Sequence, residues 1–164
     1  MSLTQLRNLG IVANAGIATT KLGAGAIIQV SNLITATQAQ TIATATYTDL
    51  TSMSLSITPS SASNKILLIS YVSANLGDSE GFGLAYVRNS TIIAYTGDAN
   101  DNFSFYHNAG GPIYSAIPFI YIDSPSSTSS ITYKIQASTY LSSSIQFNDS
   151  GSYYPTFFAM EIAG

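Results

Sequence analysis

A serine, an aspartate and a histidine follow one another in an order that could form a hydrolase triad. Gly77-Asp-Ser-Glu-Gly81 matches G-x-S-x-G, a pattern in which a sharp strand-to-helix turn exposes the serine nucleophile. Asp98 or Asp101 and then His107 come next. However, Phe82 to Val87 is typical of a strand and not of a helix. We therefore interpret the motif as a polar hairpin turn and expect that the chain is not an enzyme.

The residues that could bind a metal are few. His107 is the single histidine and the chain has no cysteine, whereas zinc sites draw on several such ligands. Asp98-Ala-Asn-Asp-Asn102 begins like a calcium-binding loop, but Phe103 occupies the position of the required glycine and Ala109 that of the bidentate glutamate. We predict a turn there, with a looser calcium site as the alternative, and we expect neither a metal nor a cofactor.

Tyrosine supplies most of the aromatic content, with 11 Tyr, 7 Phe and no Trp. A tyrosine exposed in a loop can stack on a sugar or anchor a protein interface. Packing between neighbouring strands is the alternative role for any one of them. The candidates for surface contact are Tyr106, Tyr114, Tyr140, Tyr153 and Tyr154.

Strand patterns must position these residues. Apolar and polar side chains alternate from Tyr47 to Thr58, which predicts a half-buried strand, and Lys65 to Val72 is apolar almost throughout, which predicts a more fully buried one. Asn89-Ser90 predicts the turn of a hairpin. The other predicted strands are 26–30, 82–88, 91–96, 103–106, 113–122, 130–139, 144–147 and 156–163.

The number and length of these strands predict the architecture. Many short strands separated by turn signals are typical of a sandwich or barrel, and no stretch has a convincing helical period. Residues 26–164 match the size of a two-sheet jelly roll. We therefore predict an all-β fold, an antiparallel two-sheet sandwich of jelly-roll type, preceded by an extended N-terminal arm.

Residues 1–25 are predicted to form that arm, because they are small, flexible and too poor in apolar side chains to fold alone. We expect the arm to dock on a partner subunit, with a frayed tail as the alternative. Its predicted anchors are Ile11, Val12, Ile17 and Leu22.

Charge is unusually scarce in this chain. Asp, Glu, Lys and Arg make up 8% of the residues, and the formal net charge is −3. Nucleic acid binding is not expected, because five scattered basic residues cannot neutralise a phosphate backbone. No apolar run is long enough to predict insertion into a membrane. Weak repulsion between copies instead favours self-association.

Several segments, taken in order, resemble a family of phage virion proteins in which a thin N-terminal segment leads into a small β domain. The first, Thr20 to Val30, reads TKLGAGAIIQV and is similar to the entry into that domain. Later segments resemble the family's turns, hairpin and closing strand: Ser56–Leu68, Tyr86–Thr91 with Gly97–Ala99, Tyr121–Pro125 with Thr132–Gln136, and Met160–Ile162.

The resemblance implies a virion structural protein on the particle surface, with no catalytic residues, that assembles as a homotrimer. One hypothesis is a capsid decoration (cement) protein, whose arm bridges capsomers by contacting the major capsid protein or another virion protein. The shortness of the chain favours it. The other is a tail-fibre or receptor-binding tip that recognises a host glycan, which the tyrosine-rich loops favour.

Overall fold

A computed structural model describes residues 22–34, 39–97, 104–149 and 154–164. These residues form an all-β fold, and the only helical element within them is the 3-10 turn Tyr140–Ser142. The strands are β1 (Ile27–Ile34), β2 (Gln40–Ile42), β3 (Thr48–Ile57), β4 (Lys65–Leu76), β5 (Glu80–Arg88), β6 (Thr91–Tyr95), β7 (Phe105–His107), β8 (Ile113–Asp123), β9 (Ile131–Thr139), β10 (Ile145–Phe147) and β11 (Thr156–Ile162).

The two antiparallel sheets have the strand order of a jelly roll. In the first sheet, β8 lies along one side of β4, and β10 and β11 share the other side. β2 pairs with β10 and β1 with β11. In the second sheet the order is β3-β9-β5, and β6 and β7 share the far side of β5. Along the chain, β1 and β2 lie in the first sheet, β3 in the second, β4 in the first, β5 to β7 in the second, β8 in the first, β9 in the second, and β10 and β11 in the first. This is the order of a double Greek key, and it confirms the predicted sandwich.

Alternation of side chains follows the prediction in β3. Met53, Leu55 and Ile57 face the core, while Ser54 and Ser56 are exposed. The strand β2 was not predicted, because three residues are too short to show a period. β4 extends four residues beyond the predicted Lys65–Val72, and only one of its two faces is fully buried.

The core lies between the sheets and is rich in aromatic rings. The ring of Tyr86, on β5, stacks at 4.2 Å on that of Phe119, on β8 of the opposite sheet. The Tyr86 hydroxyl donates to the Phe119 carbonyl oxygen at 2.5 Å, and its oxygen lies 2.9 Å from Ser70 Oγ. Burial raises the pKa of this phenol, so it stays protonated and continues to donate. One residue thus joins the two sheets by both packing and hydrogen bonds.

An ion pair between the half-buried Arg88 and the buried Asp123 joins the same sheets near one end of β8. Arg88 Nη1 donates to both carboxylate oxygens of Asp123, at 2.9 and 3.1 Å. The hydroxyl of Tyr133, which is fully buried, donates to Asp123 Oδ2 at 2.7 Å. Burial and the neighbouring carboxylate raise the pKa of Tyr133. Asp123 therefore fixes the position of β8 relative to β5 and β9.

Candidate assembly surface

The outward side chains of the first sheet form a broad apolar surface, which we call the apolar outer face. Each pair of directly opposed residues in an antiparallel sheet points to the same side. Leu67 is thus flanked by Ile122 and Met160, and Ile69 by Ile120 and Phe158. Its apolar members are Ile27, Val30, Ile34, Leu67, Ile69, Tyr71, Tyr114, Ala116, Pro118, Ile120, Ile122, Phe158, Met160 and Ile162, and the register places the polar residues Asn32, Ser73, Asn75 and Thr156 on the same side.

Much of this face is open to solvent. Six of its side chains are between 51% and 61% exposed, namely Ile27, Val30, Ile34, Tyr114, Ile120 and Ile122. A single exposed isoleucine is ordinary, but a contiguous exposed apolar patch on this scale marks an interaction site. These residues come from the two outermost strands, β1 and β8, while the outward residues Leu67, Ile69, Phe158 and Met160 on the strands between them are half-buried.

Charge is almost excluded from the apolar outer face. Lys65, at the start of β4, is the only charged residue among the outward positions of β1, β4, β8 and β11. The acidic residues of the same strands, Asp123 and Glu161, face inward and are buried. The face therefore offers hydrophobic contact and almost no electrostatic steering to a partner.

The corresponding surface of the second sheet differs in its chemistry. We call the outward side chains of β3 and β9 the polar outer face: Asp49, Ser54, Ser56, Thr132, Lys134 and Gln136. Lys134 Nζ and Gln136 Nε2 donate to the two oxygens of Asp49, at 2.8 and 2.7 Å. These two contacts lower the pKa of Asp49. The exposed polar groups of this face thus form hydrogen bonds with one another and with water.

A buried carboxylate lies near the end of the sandwich where the predicted arm joins it. Glu161 Oε1 accepts from the Ser60 backbone N–H at 2.7 Å, Ser60 Oγ at 2.8 Å and Asn64 Nδ2 at 2.6 Å. Gln29 Nε2 donates to its other oxygen at 2.5 Å. Burial alone would raise the pKa of this group, but the hydrogen bonds outweigh it and the net shift is downward. The carboxylate ties the 58–64 turn to β1 and β11.

Of the four predicted arm anchors, Leu22 is the one that the structure describes. It borders a pocket of about 300 Å³, together with Ile28, the Ser60–Asn64 turn and the last two residues, Ala163 and Gly164. Ile11, Val12 and Ile17 lie outside the described residues, as does most of the 1–25 segment. Docking of the arm on a partner therefore stays a prediction.

The five tyrosines predicted for surface contact do not form one cluster. Tyr106 and Tyr140 meet edge to face with ring centroids 5.5 Å apart, at the end of the sandwich opposite Leu22. Tyr114 belongs to the apolar outer face. Tyr154 is exposed just before β11, and Tyr153 lies outside the described residues.

The hydrolase-like motif forms a turn between two strands, as predicted. Ser79 lies between β4 and β5 with a positive φ of 58°. The Ser79 hydroxyl donates to Asn108 Oδ1 at 3.2 Å, and His107 Nε2 lies 2.9 Å from the Gly111 carbonyl oxygen. Ser79 and His107 therefore each contact a different residue. Asp98 and Asp101, with the rest of the calcium-like loop, lie outside the described residues.

Across the described ranges, no group of three or more His, Cys, Asp or Glu side chains is placed to hold a metal ion. No helix within these ranges is long and apolar enough to cross a membrane.

No protein-family profile matches the chain, and no curated protein sequence is significantly similar to it. Among solved structures, the chain is similar to the VP2 subviral particle of infectious bursal disease virus, with 12% identity over 82% of this chain and a TM-score of 0.46. The Gx strain of the same virus gives 10% identity and the same TM-score. The chain spans 36% of the length of each of these proteins.

Proposed function

We propose that this protein is a structural subunit of a phage virion, and specifically a homotrimeric decoration (cement) protein on the surface of the head. The apolar outer face is the observation that carries the proposal. A domain with this much uncharged apolar surface in water is suited to a permanent place in an assembly. The ordered resemblance of residues 20–163 to phage virion proteins supports the choice of particle.

The arrangement of the two ends of the sandwich supports a bridging role. Residue 22 and the C-terminal Gly164 lie together beside the Ser60–Asn64 turn, so the arm leaves from one end only. The 21 residues before Leu22 could span up to roughly 70 Å if extended. In this proposal Ile11, Val12 and Ile17 dock on the major capsid protein or another virion protein, with Leu22 at the base of the arm.

Antibody labelling of purified particles, read by electron microscopy, tests the location. We expect label over the head surface and the protein in the mass spectrum of intact virions. Label confined to the tail would overturn the decoration role, and a protein missing from washed particles would overturn any virion role.

Binding to heads that lack the protein tests the arm. We expect Ile11→Asp with Val12→Asp to weaken rebinding by at least tenfold, because a charge replaces each apolar contact. Asn14→Asp adds a charge to the same segment without removing an apolar side chain, and it should bind as the unaltered protein does. Equal binding by all three proteins would rule out these anchors.

The second candidate is a tail-fibre or receptor-binding tip that recognises a host glycan. The Tyr106–Tyr140 pair favours it, because this pair lies at the end of the sandwich away from the arm. Sugar rings stack on aromatic side chains of this kind. Tyr106→Ala would abolish adsorption to host cells if this were the function, whereas a decoration protein would leave adsorption unchanged.

Neither candidate needs catalysis, a cofactor or a metal, and we propose that the protein acts by binding alone. Ser79→Ala tests this at the one motif that resembles a nucleophile. We expect the same background of ester hydrolysis from both proteins, and a loss of activity in the variant would contradict the proposal.

A further inference from the structure

We infer that the apolar outer face is where copies of this chain contact one another. The inference rests on the proposed role as a virion subunit and not on the proposed trimer, because a face-to-face contact between identical faces joins two copies. It commits to a second copy as the occupant, packed face to face and not joined strand to strand.

The sequence of β4 is the first argument. Ile66 to Tyr71 is apolar but for Ser70, a pattern typical of strands that are covered on both sides. The inward residues Ile66 and Leu68 are fully buried by the second sheet, whereas Leu67 and Ile69 are half-buried and Tyr71 is exposed. β4 thus has the composition of a strand that is buried on both sides, but within its own domain only one side is covered, by the second sheet.

Neighbouring strands repeat this pattern. In β11, Phe157 and Ala159 face the core, while Phe158 and Met160 face outward. In β8, Phe119 packs in the core, while the adjacent Ile120 is 60% exposed. Three adjacent strands thus all have a second apolar side, so the uncovered surface is continuous.

The dimensions of the face indicate what could cover it. The outer side of the first sheet has four strand positions that span about 19 Å, and the 11-residue ladder between β4 and β8 is about 36 Å long. The apolar part follows the seven-residue ladder between β4 and β11 and makes up about two thirds of this side, so a contact over the whole side, its polar end included, covers roughly 700 Å² of each copy. A stable interface buries roughly 800 Å² on each partner, which is close to this value. A single extended segment covers a width of about 5 Å, so one pass of residues 1–21 along the face would leave most of it exposed.

Charge indicates which partner fits. A face with one lysine at its edge has nothing to pair with a charged partner, and it meets a copy of itself without like-charge repulsion. The formal net charge of −3 keeps the long-range repulsion between copies small as well. An uncharged apolar face that is matched in size by itself is suited to a symmetric contact.

Sedimentation of the full-length chain tests the inference. We expect an oligomer at micromolar concentration, and Ile120→Asp should weaken self-association by roughly 100-fold or more, because each contact would bury an unpaired carboxylate. Ser54→Asp, on the polar outer face, is the matched control and should sediment as the unaltered protein does. A monomeric unaltered protein, or an Ile120→Asp variant as oligomeric as the control, would overturn the inference.

Single-cysteine variants protect the test against a variant that does not fold. The chain has no cysteine, so Ile120→Cys introduces one thiol of modest size. In the inferred assembly that thiol reacts with a maleimide dye at least tenfold more slowly than the thiol of Ser54→Cys. Equal rates in a folded oligomer would mean that another surface joins the copies.

The outcome also separates this inference from the proposed function. A protein that is found on heads but remains monomeric off them would overturn the contact and leave the decoration role in place. A dimer that is lost in Ile120→Asp would support the contact and contradict the proposed trimer.

Discussion

The apolar outer face and the polar outer face have the same backbone geometry and opposite surface chemistry, whereas β6, beside the polar outer face, exposes Ile92 and Tyr95. On the polar outer face, Asp49 accepts hydrogen bonds from Lys134 and Gln136, so the groups there need nothing beyond water. On the apolar outer face, Ile120 and Ile122 extend more than half of their surface into solvent and gain nothing from it. The polar groups of the polar outer face are hydrogen-bonded within the monomer, whereas the side chains of the apolar outer face would be buried only by a further contact.

The inner faces show that this difference does not arise from the core. Both sheets contribute fully buried aromatic rings to the same interior, among them Phe82 and Tyr86 from one sheet and Phe157 from the other. A strand alternates between apolar and polar side chains when its outer side is solvated, as β3 does from Met53 to Ile57, and becomes apolar on both sides when its outer side is to be covered, as in β4. The outer side therefore decides which of the two patterns a strand has.

The largest effect expected on folding comes from Phe119. The next residue, Ile120, lies on the opposite side of β8 and provides the comparison. Phe119→Ala removes a ring that stacks on Tyr86 at 4.2 Å, and we expect the free energy of unfolding to fall by about 3–5 kcal/mol. Ile120→Ala, one residue along on the apolar outer face, should change it by about 0.5 kcal/mol or less in the monomer. Denaturant titration at low protein concentration measures both, and similar losses would mean that Ile120 is already covered within its own chain.

Sequence reasoning located most strands because their patterns are local. The alternation from Met53 to Ile57 and the turn at Asn89-Ser90 are each contained in a few neighbouring residues. β2, at Gln40–Ile42, has no such pattern, and the ladder to β10 defines it. The apolar outer face also needed the register, since nothing local shows that Ile69 lies between Ile120 and Phe158.

The polar contacts were still less accessible to sequence reasoning. Glu161 lies 132 residues from Gln29 and 101 from Ser60, yet both donate to its carboxylate. A predicted end strand containing one glutamate gives no reason to expect that its side chain faces inward. The one available signal was the alternation Phe157, Ala159, Glu161, which places the acid on the same side as two core residues.

Asp123→Asn tests the ion pair that holds the two sheets together, and its effect should be the next largest. The change removes the charge that faces Arg88 and weakens the acceptor of the buried Tyr133 hydroxyl. We expect a loss of about 1.5–3 kcal/mol in the free energy of unfolding. Tyr133→Phe removes one hydrogen bond and leaves the ion pair, so it should cost less. A variant as stable as the unaltered protein would show that the pair contributes no net stability.

Glu161→Gln tests the buried carboxylate near the arm, with an expected loss of about 1–2 kcal/mol at pH 7. The folded-state pKa of Glu161 lies below its ordinary value. Its charge therefore contributes stability above the unfolded-state pKa of about 4.3, and this contribution is lost as the pH falls through the folded-state value. Denaturation of both proteins across that range should show curves that converge in acid. A difference that does not change with pH would contradict the role of the charge.

The smallest effect should come from the polar outer face, where Asp49→Asn removes the partner of Lys134. Both side chains are well exposed, so water screens the pair and a loss of only about 0.2–1 kcal/mol is expected. The lowered pKa of Asp49 gives the same sign of pH dependence as in Glu161, because its contribution is present above the unfolded-state pKa and is lost in acid. Raising the salt concentration to about 1 M, where the screening length falls to about 3 Å, should remove most of the difference. A loss as large as that of Asp123→Asn would mean that this surface, too, is covered in the working protein, and the contrast between the two outer faces would not hold.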